Sequence, residues 1–125
     1  MMLENDFFTI IAEERNENQV FFTVHINAEH PIFGGHFPGD PITPGVCIVQ
    51  MACDLFSHLQ QQRFVVSSLK NAKFMQIIRP LETAEIDFQI SYQMAENQND
   101  YDVKCVVSNP DTTFAKFSFT VSPTS

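Results

Sequence analysis

His36-Phe37-Pro38-Gly39-Asp40-Pro41-Ile42-Thr43-Pro44-Gly45-Val46, followed by an apolar run to Leu59, is the stretch on which the fold turns. Three prolines and two glycines fall between Pro38 and Gly45. Each proline fixes φ and removes a backbone donor, and each glycine admits close approach or positive φ, so the segment reads as a stiff loop. Thr43 is a suitable N-cap, with Pro44 at the first helical position, where its missing N–H costs nothing. Beyond it, Val46, Ile48, Val49, Met51, Ala52, Leu55, Phe56 and Leu59 occupy nearly every face of a helix. A helix apolar nearly all round is buried in its own protein. The exceptions, Gln50, Asp54 and Ser57 or His58, recur at i, i+4 and i+7 or i+8 and form one narrow polar stripe. The helix is predicted to end in the Gln60-Gln61-Gln62 run.

Outward from this helix the chain reads as strands. Phe7 to Glu14 and Gln19 to Ile26 are rich in Phe, Ile, Val and Thr, with a polar hairpin loop between them. Asn27 to Gly35 is a loop or short helical turn. Phe64 to Ile78 is predicted to be a long strand bent near Lys70-Asn71, and Arg79 to Glu82 a turn. From Ala84 to Met94 apolar and polar residues alternate, as in an antiparallel strand with one face in the core. Tyr101 to Ser108 and Phe114 to Val121 complete the set around a turn at Asn109-Pro110-Asp111. Two strands, a helix and four strands with short connections describe an α+β domain, one unit over 1–125, whose curved antiparallel sheet wraps one long helix. Such a sheet leaves open edges, so pairing into a dimer is expected.

Composition narrows the function. At 125 residues with 44% hydrophobic content, 13 Phe and no Trp, the chain can build a core without disulfides or metal. Cys47, Cys53 and Cys105 form no CxxC pair, and two lie in the helix run, so all three read as reduced core residues. The N-terminus lacks a basic region followed by an apolar run, and no window approaches the roughly 18 apolar residues of a membrane span. A soluble, cytoplasmic protein is expected. Net charge of −8 argues against nucleic acid or anionic membrane as a partner. From Pro41 to Leu81, however, Arg63, Lys70, Lys73 and Arg79 face only Asp54, a local balance of +3. An acidic partner could be steered there if the fold gathers them; the alternative is that they simply sit at solvated strand ends. His30 and His36 lack the accompanying Cys or carboxylates of a metal site, so none is expected.

The string HFPGDPITPGVCIVQMACD resembles the signature of the 3-hydroxyacyl-acyl-carrier-protein dehydratases of the FabZ and FabA type. Asn71 to Phe74 and Arg79-Pro80-Leu81 resemble the strand and turn that follow the helix in that family. The resemblance implies a hot-dog fold and a homodimer, or a trimer of such dimers. It implies no cofactor, since the substrate rides on the phosphopantetheine of an acyl carrier protein or on CoA. It also implies a place in fatty-acid or related lipid synthesis, with Arg63, Lys70, Lys73 and Arg79 as candidates for binding the carrier.

Dehydrating a 3-hydroxyacyl thioester needs a base at C2, an acid for the leaving hydroxyl and donors for a carbonyl gaining enolate character. His36 matches the family's catalytic histidine, and an imidazole titrating near ~6.5 suits the task. The helix start at Pro44, Gly45 and Val46, with Phe37 beside it, is the expected substrate-binding segment, since helix N-termini present unpaired donors and a positive dipole end. The family's catalytic Glu, however, falls at Gln50, and its Gln one turn on falls at Asp54. A carboxamide orients a hydroxyl but does not exchange a proton near neutral pH. Three readings stay open: Asp54 supplies the carboxylate while Gln50 orients; His36 makes both proton transfers; or the domain binds acyl thioesters without dehydrating them. A hot-dog thioesterase is the rival activity. Phe33, Phe37, Ile42, Val49, Met51, Phe74 and Met75 could line an acyl channel or simply be core.

Overall fold

The computed structural model describes residues 3–17, 19–35 and 39–124. Its elements run β1 (Phe8–Arg15), β2 (Val20–Ile26), α1 (Ile32–Gly35), α2 (Gly45–Gln60), β3 (Phe64–Phe74), β4 (Glu85–Met94), β5 (Tyr101–Ser108) and β6 (Thr113–Pro123). The strands form one six-stranded sheet in the order β1-β2-β4-β5-β6-β3, antiparallel at every pairing. This is the hot-dog fold, with β1 and β3 at its edges.

The sheet's inner face and α2 make the core together. Cys47, Ile48, Met51, Ala52, Leu55 and Phe56 are buried against Phe22, Val24, Ile86, Phe88, Ile90, Val103, Cys105, Val107, Phe119 and Val121. Each large side chain so enclosed contributes about 1.5–3 kcal/mol. Phe56 anchors the far end of the helix, its ring centroid 5.0–5.1 Å from those of Phe64, Tyr92 and Tyr101. All three cysteines are free and buried; Cys53 also donates to the Phe64 carbonyl at 3.4 Å. Burial raises the thiol pKa of each, that of Cys53 to about 11, so none is a reactive nucleophile.

Beyond shifts of one or two residues at strand ends, three features differ from the sequence expectation. The N-cap of α2 is Pro44, extended at φ −64° and ψ 145°, and the helix begins at Gly45 rather than Pro44. Thr43 therefore lies one residue too early to cap; its N–H donates to the Ile78 carbonyl at 2.9 Å instead. The end of β4 lies at the margin of the core, where Tyr92 packs on Phe56 yet stays, like Met94, partly exposed although alternation predicted burial. β3 stops at Phe74, and its bend is a bulge between Lys70 and Lys73, with Asn71 at φ 53°. Asn enters this left-handed region more readily than most residues.

β3 pairs only with β6, and its outer edge is open. Val65, Leu69 and Phe74 of this strand, and Met75 and Ile77 just beyond it, are exposed. No helix among the described residues is long and apolar enough to cross a membrane.

Candidate functional site

The site is best approached from the first turn of α2. No side chain caps this end, and no acid lies in the first turn. The first helical hydrogen bonds run from the Cys47 and Ile48 N–H groups to the Pro44 carbonyl, at 3.0 and 3.2 Å. The N–H groups of Gly45 and Val46 have no acceptor among the described residues, and the Val46 side chain is 77% exposed. Among the described residues nothing meets these two donors or the positive end of the sixteen-residue helix. Beside them Thr43 is buried, its hydroxyl without a partner among the described residues.

Gly45 is required here by space. A Cβ at this position would meet the Phe74 ring at 3.2 Å, closer than side chains normally approach. The ring at the end of β3 therefore lies against the helix start, stacked at 6.2 Å on Phe117. The loop leading into the helix is held from the other side: Arg79 Nε lies 3.4 Å from Asp40 Oδ1, and Gly39 takes φ 87°. His36, Phe37 and Pro38 lie outside the described residues.

The polar stripe does form, and most of it is engaged within the chain. Asp54 is fully buried; its carboxylate accepts from the backbone N–H of Leu3 and, at Oδ1, from Gln50 Nε2 at 2.8 Å. Burial pushes the Asp54 carboxyl above the ordinary carboxylate range, opposed by hydrogen bonds from Leu3, Gln50 and Glu4. Ser57 accepts the Phe64 N–H at 3.1 Å, where β3 begins. His58 Nδ1 lies 3.3 Å from Glu4 Oε2, and its Nε2 lies 3.7 Å from Glu13 Oε1. Gln50 differs from these. It is half-buried; its amide nitrogen donates to Asp54, and Oε1 has no donor among the described residues.

The four basic residues singled out from the sequence do not gather into one patch. Arg79 pairs with Asp40. Arg63 stands beside Glu4, Ser57 and His58 at the far end of α2. Lys70 and Lys73 lie on β3. His30, considered with His36 as a metal ligand, has Nε2 3.1 Å from Asp6 Oδ2. Sequence reading missed the tie between Asp54 and Leu3, which joins residues 51 positions apart and leaves no local pattern. It also left Phe74 ambiguous between lining and core, although an aromatic ending a strand that returns to a helix-start glycine is a usable signal.

The sequence model of the ApeI-like family, described as ApeI dehydratase, matches residues 12–121. The chain is 26% identical over 121 residues to the 3-hydroxyacyl-[acyl-carrier-protein] dehydratase FabZ of Lactococcus lactis, covering 91% of this chain and 80% of that one. Among solved structures it resembles the dehydratase heterocomplex ApeI:P from Xenorhabdus doucetiae, with TM-score 0.58, 19% identity, and coverage of 90% of this chain and 96% of that one. It also resembles a mutant thioesterase from Pseudomonas aeruginosa, with TM-score 0.60, 13% identity and coverage of 94% and 82%. At these identities the structural likenesses establish the fold.

Proposed function

Because the chain belongs to the ApeI-like dehydratase family, we propose that it dehydrates 3-hydroxyacyl thioesters carried on an acyl carrier protein or CoA, as a cytoplasmic step of fatty-acid or related lipid synthesis. The observation that supports this reading is the pair of N–H groups at Gly45 and Val46 that have no acceptor among the described residues, opening a buried helix just after the His36 loop. Removing the C2 proton pushes charge onto the thioester oxygen, and donors fixed in advance stabilise that charge without reorganising. His36 takes the C2 proton and returns it to the hydroxyl departing from C3 as water. Gln50 Oε1 accepts from that hydroxyl and orients it. Asp54 works through Gln50 as a positioning residue, fixing the amide by accepting from its Nε2 and leaving Oε1 for the substrate. Phe37, Pro44 and Phe74 contact the acyl chain.

The exposed apolar margin of β3 is where a second subunit would pair, extending the sheet edge to edge. A second reading keeps this site but imports a carboxylate. The only acid on α2, Asp54, is buried and already engaged, so a different hot-dog chain on the β3 edge could supply the missing acid in place of a second copy. The Xenorhabdus relative is itself a heterocomplex.

The test is to give purified protein a trans-2-enoyl thioester and follow hydration and thiol release separately. Hydration without hydrolysis is expected, with His36→Ala lowering the rate by ~10²-fold or more. Thiol release without hydration would make the protein a thioesterase, and full activity in His36→Ala would remove the histidine from the mechanism. Hydration appearing only after a second hot-dog chain is added would favour the imported carboxylate.

A further inference from the structure

The sheet's outer face, turned away from α2, carries every lysine of the chain. Residues directly opposite on antiparallel strands share a face. Lys70 on β3 is paired with Ser118 on β6, which is paired with Lys104 on β5. In the next row Lys73 is paired directly with Lys116. Lys70 and Lys73 are three residues apart and would face opposite sides of a regular strand. The bulge at Asn71 resets the alternation and brings both onto this face. All four lysines are exposed, and none has an ion-pair partner among the described residues.

This arrangement works against stability. Like charges directly opposite across a strand pair are unfavourable, and the chain has 15 acids that could have stood there. The acids of this face lie elsewhere: Glu14, Glu85 and Asp87 belong to β1 and β4, and Asp87 accepts the Thr23 hydroxyl at 2.8 Å. Asp102 is the exception within the basic half, and it accepts the Thr120 hydroxyl at 2.9 Å. The face is thus divided, with lysines on β3, β6 and β5. Strand spacing puts Lys70 about 10 Å from Lys104, near one Debye length at 0.1 M salt, so the charges reinforce one another. Between them opens a hollow of about 520 Å³ lined by Arg15, Lys70 and Lys104, with Glu17 and Asp102 also on its wall, so cations outnumber carboxylates there. At its other end the strip reaches Lys73, the neighbour of the Phe74 ring that lies against Gly45.

We propose that the lysine face of β3, β6 and β5 is the docking surface for an acidic acyl carrier protein, placed so that the carrier's thioester arm reaches the start of α2 past Phe74. The proposal rests on the dehydratase reading for its choice of partner. It replaces a local cluster with a cross-strand one: Lys104 and Lys116 join Lys70 and Lys73, while Arg63 stands apart and Arg79 holds Asp40. In a chain of net charge −8, a strip of four lysines without an ion-pair partner among the described residues is where an acidic protein would be steered.

The test measures binding of purified acyl carrier protein to the full-length chain at several salt concentrations, alongside turnover of a small enoyl thioester. Wild type should bind, and more weakly as salt rises. Lys104→Glu combined with Lys116→Glu should weaken binding at least about tenfold and flatten the salt dependence, while small-substrate turnover stays within about twofold. Lys104→Gln with Lys116→Gln should give a smaller loss in the same direction, and Arg63→Glu should change binding little. Undiminished carrier binding in the double reversal would overturn the proposal, as would capture of anionic vesicles with no carrier binding. Absence of carrier binding by wild type that still hydrates the small thioester would overturn the docking surface and leave the dehydratase reading intact.

Discussion

In the first half of α2 and just before it, two backbone N–H groups, a buried threonine hydroxyl and the amide oxygen of Gln50 lack partners among the described residues. One to three turns further on, Asp54 binds the Leu3 N–H, Ser57 binds the Phe64 N–H, and His58 stands between Glu4 and Glu13. The same helix therefore uses polar groups in two ways. Those in its second half are matched inside the chain and tie the N-terminal segment, β1 and β3 to the core. Those at its start are left open beside a glycine kept bare by an aromatic ring. An unmatched buried polar group costs about 1–3 kcal/mol, and the Thr43 hydroxyl is such a group beside the free first-turn donors, which marks this end of the helix rather than the other as the place for a ligand.

The contrast is broken most severely at Asp54. Asp54→Ala would strand the Leu3 N–H and the Gln50 amide together, and about 2–4 kcal/mol of stability should be lost in urea unfolding. Asp54→Asn keeps the shape and one acceptor and should fold. A selective collapse of its turnover, with normal unfolding, would move Asp54 from support to direct proton transfer.

Gly45→Ala is expected to come next. Its methyl meets the Phe74 ring at 3.2 Å, and overpacking costs about 1–3 kcal/mol. Alanine's helix preference returns roughly 0.5–1 kcal/mol. Net destabilisation should be small, with the rate falling more than stability because the displaced ring stands at the open donors. Adding Phe74→Ala should restore the unfolding midpoint; if it does not, the clash is not the cause.

The smallest effect is a pH dependence. Burial raises the Asp54 carboxyl pKa, so in the window above the ordinary carboxyl value the folded chain holds a proton that the unfolded chain has released. The stability linked to that proton is full below the ordinary value and is lost as pH rises through the folded one. Relative to Asp54→Asn, wild type should therefore lose stability between about pH 4 and the raised value and then level off. A difference that stays constant with pH would mean Asp54 titrates normally.

The helix and the succession of elements along the chain were legible because they rest on local signals: proline and glycine punctuation before Gly45, all-round apolarity from Cys47 to Leu59, and alternation in β4. The polar stripe was legible as a spacing, but its use was not. Whether Asp54 faces a substrate or the Leu3 N–H depends on where a distant segment packs. The basic residues show the same limit. Counting charge along the chain grouped Arg63 and Arg79 with Lys70 and Lys73, whereas strand pairing groups Lys70 and Lys73 with Lys104 and Lys116. Thr43 was misjudged by a single residue, since a cap acts only at the position just before the first helical one.

The most direct test of the open helix start removes one of its donors without touching a side chain that matters. Val46 is 77% exposed, so its side chain contributes little to packing. Proline is tolerated in the first helical turn, so Val46→Pro deletes a single N–H there, with Val46→Ala as the control. Enoyl-thioester hydration in Val46→Pro should fall by about 10²–10³-fold while its circular dichroism and unfolding match wild type and Val46→Ala stays fully active. Full turnover in a correctly folded Val46→Pro would mean that the Val46 N–H does not hold the thioester oxygen, and would contradict the account.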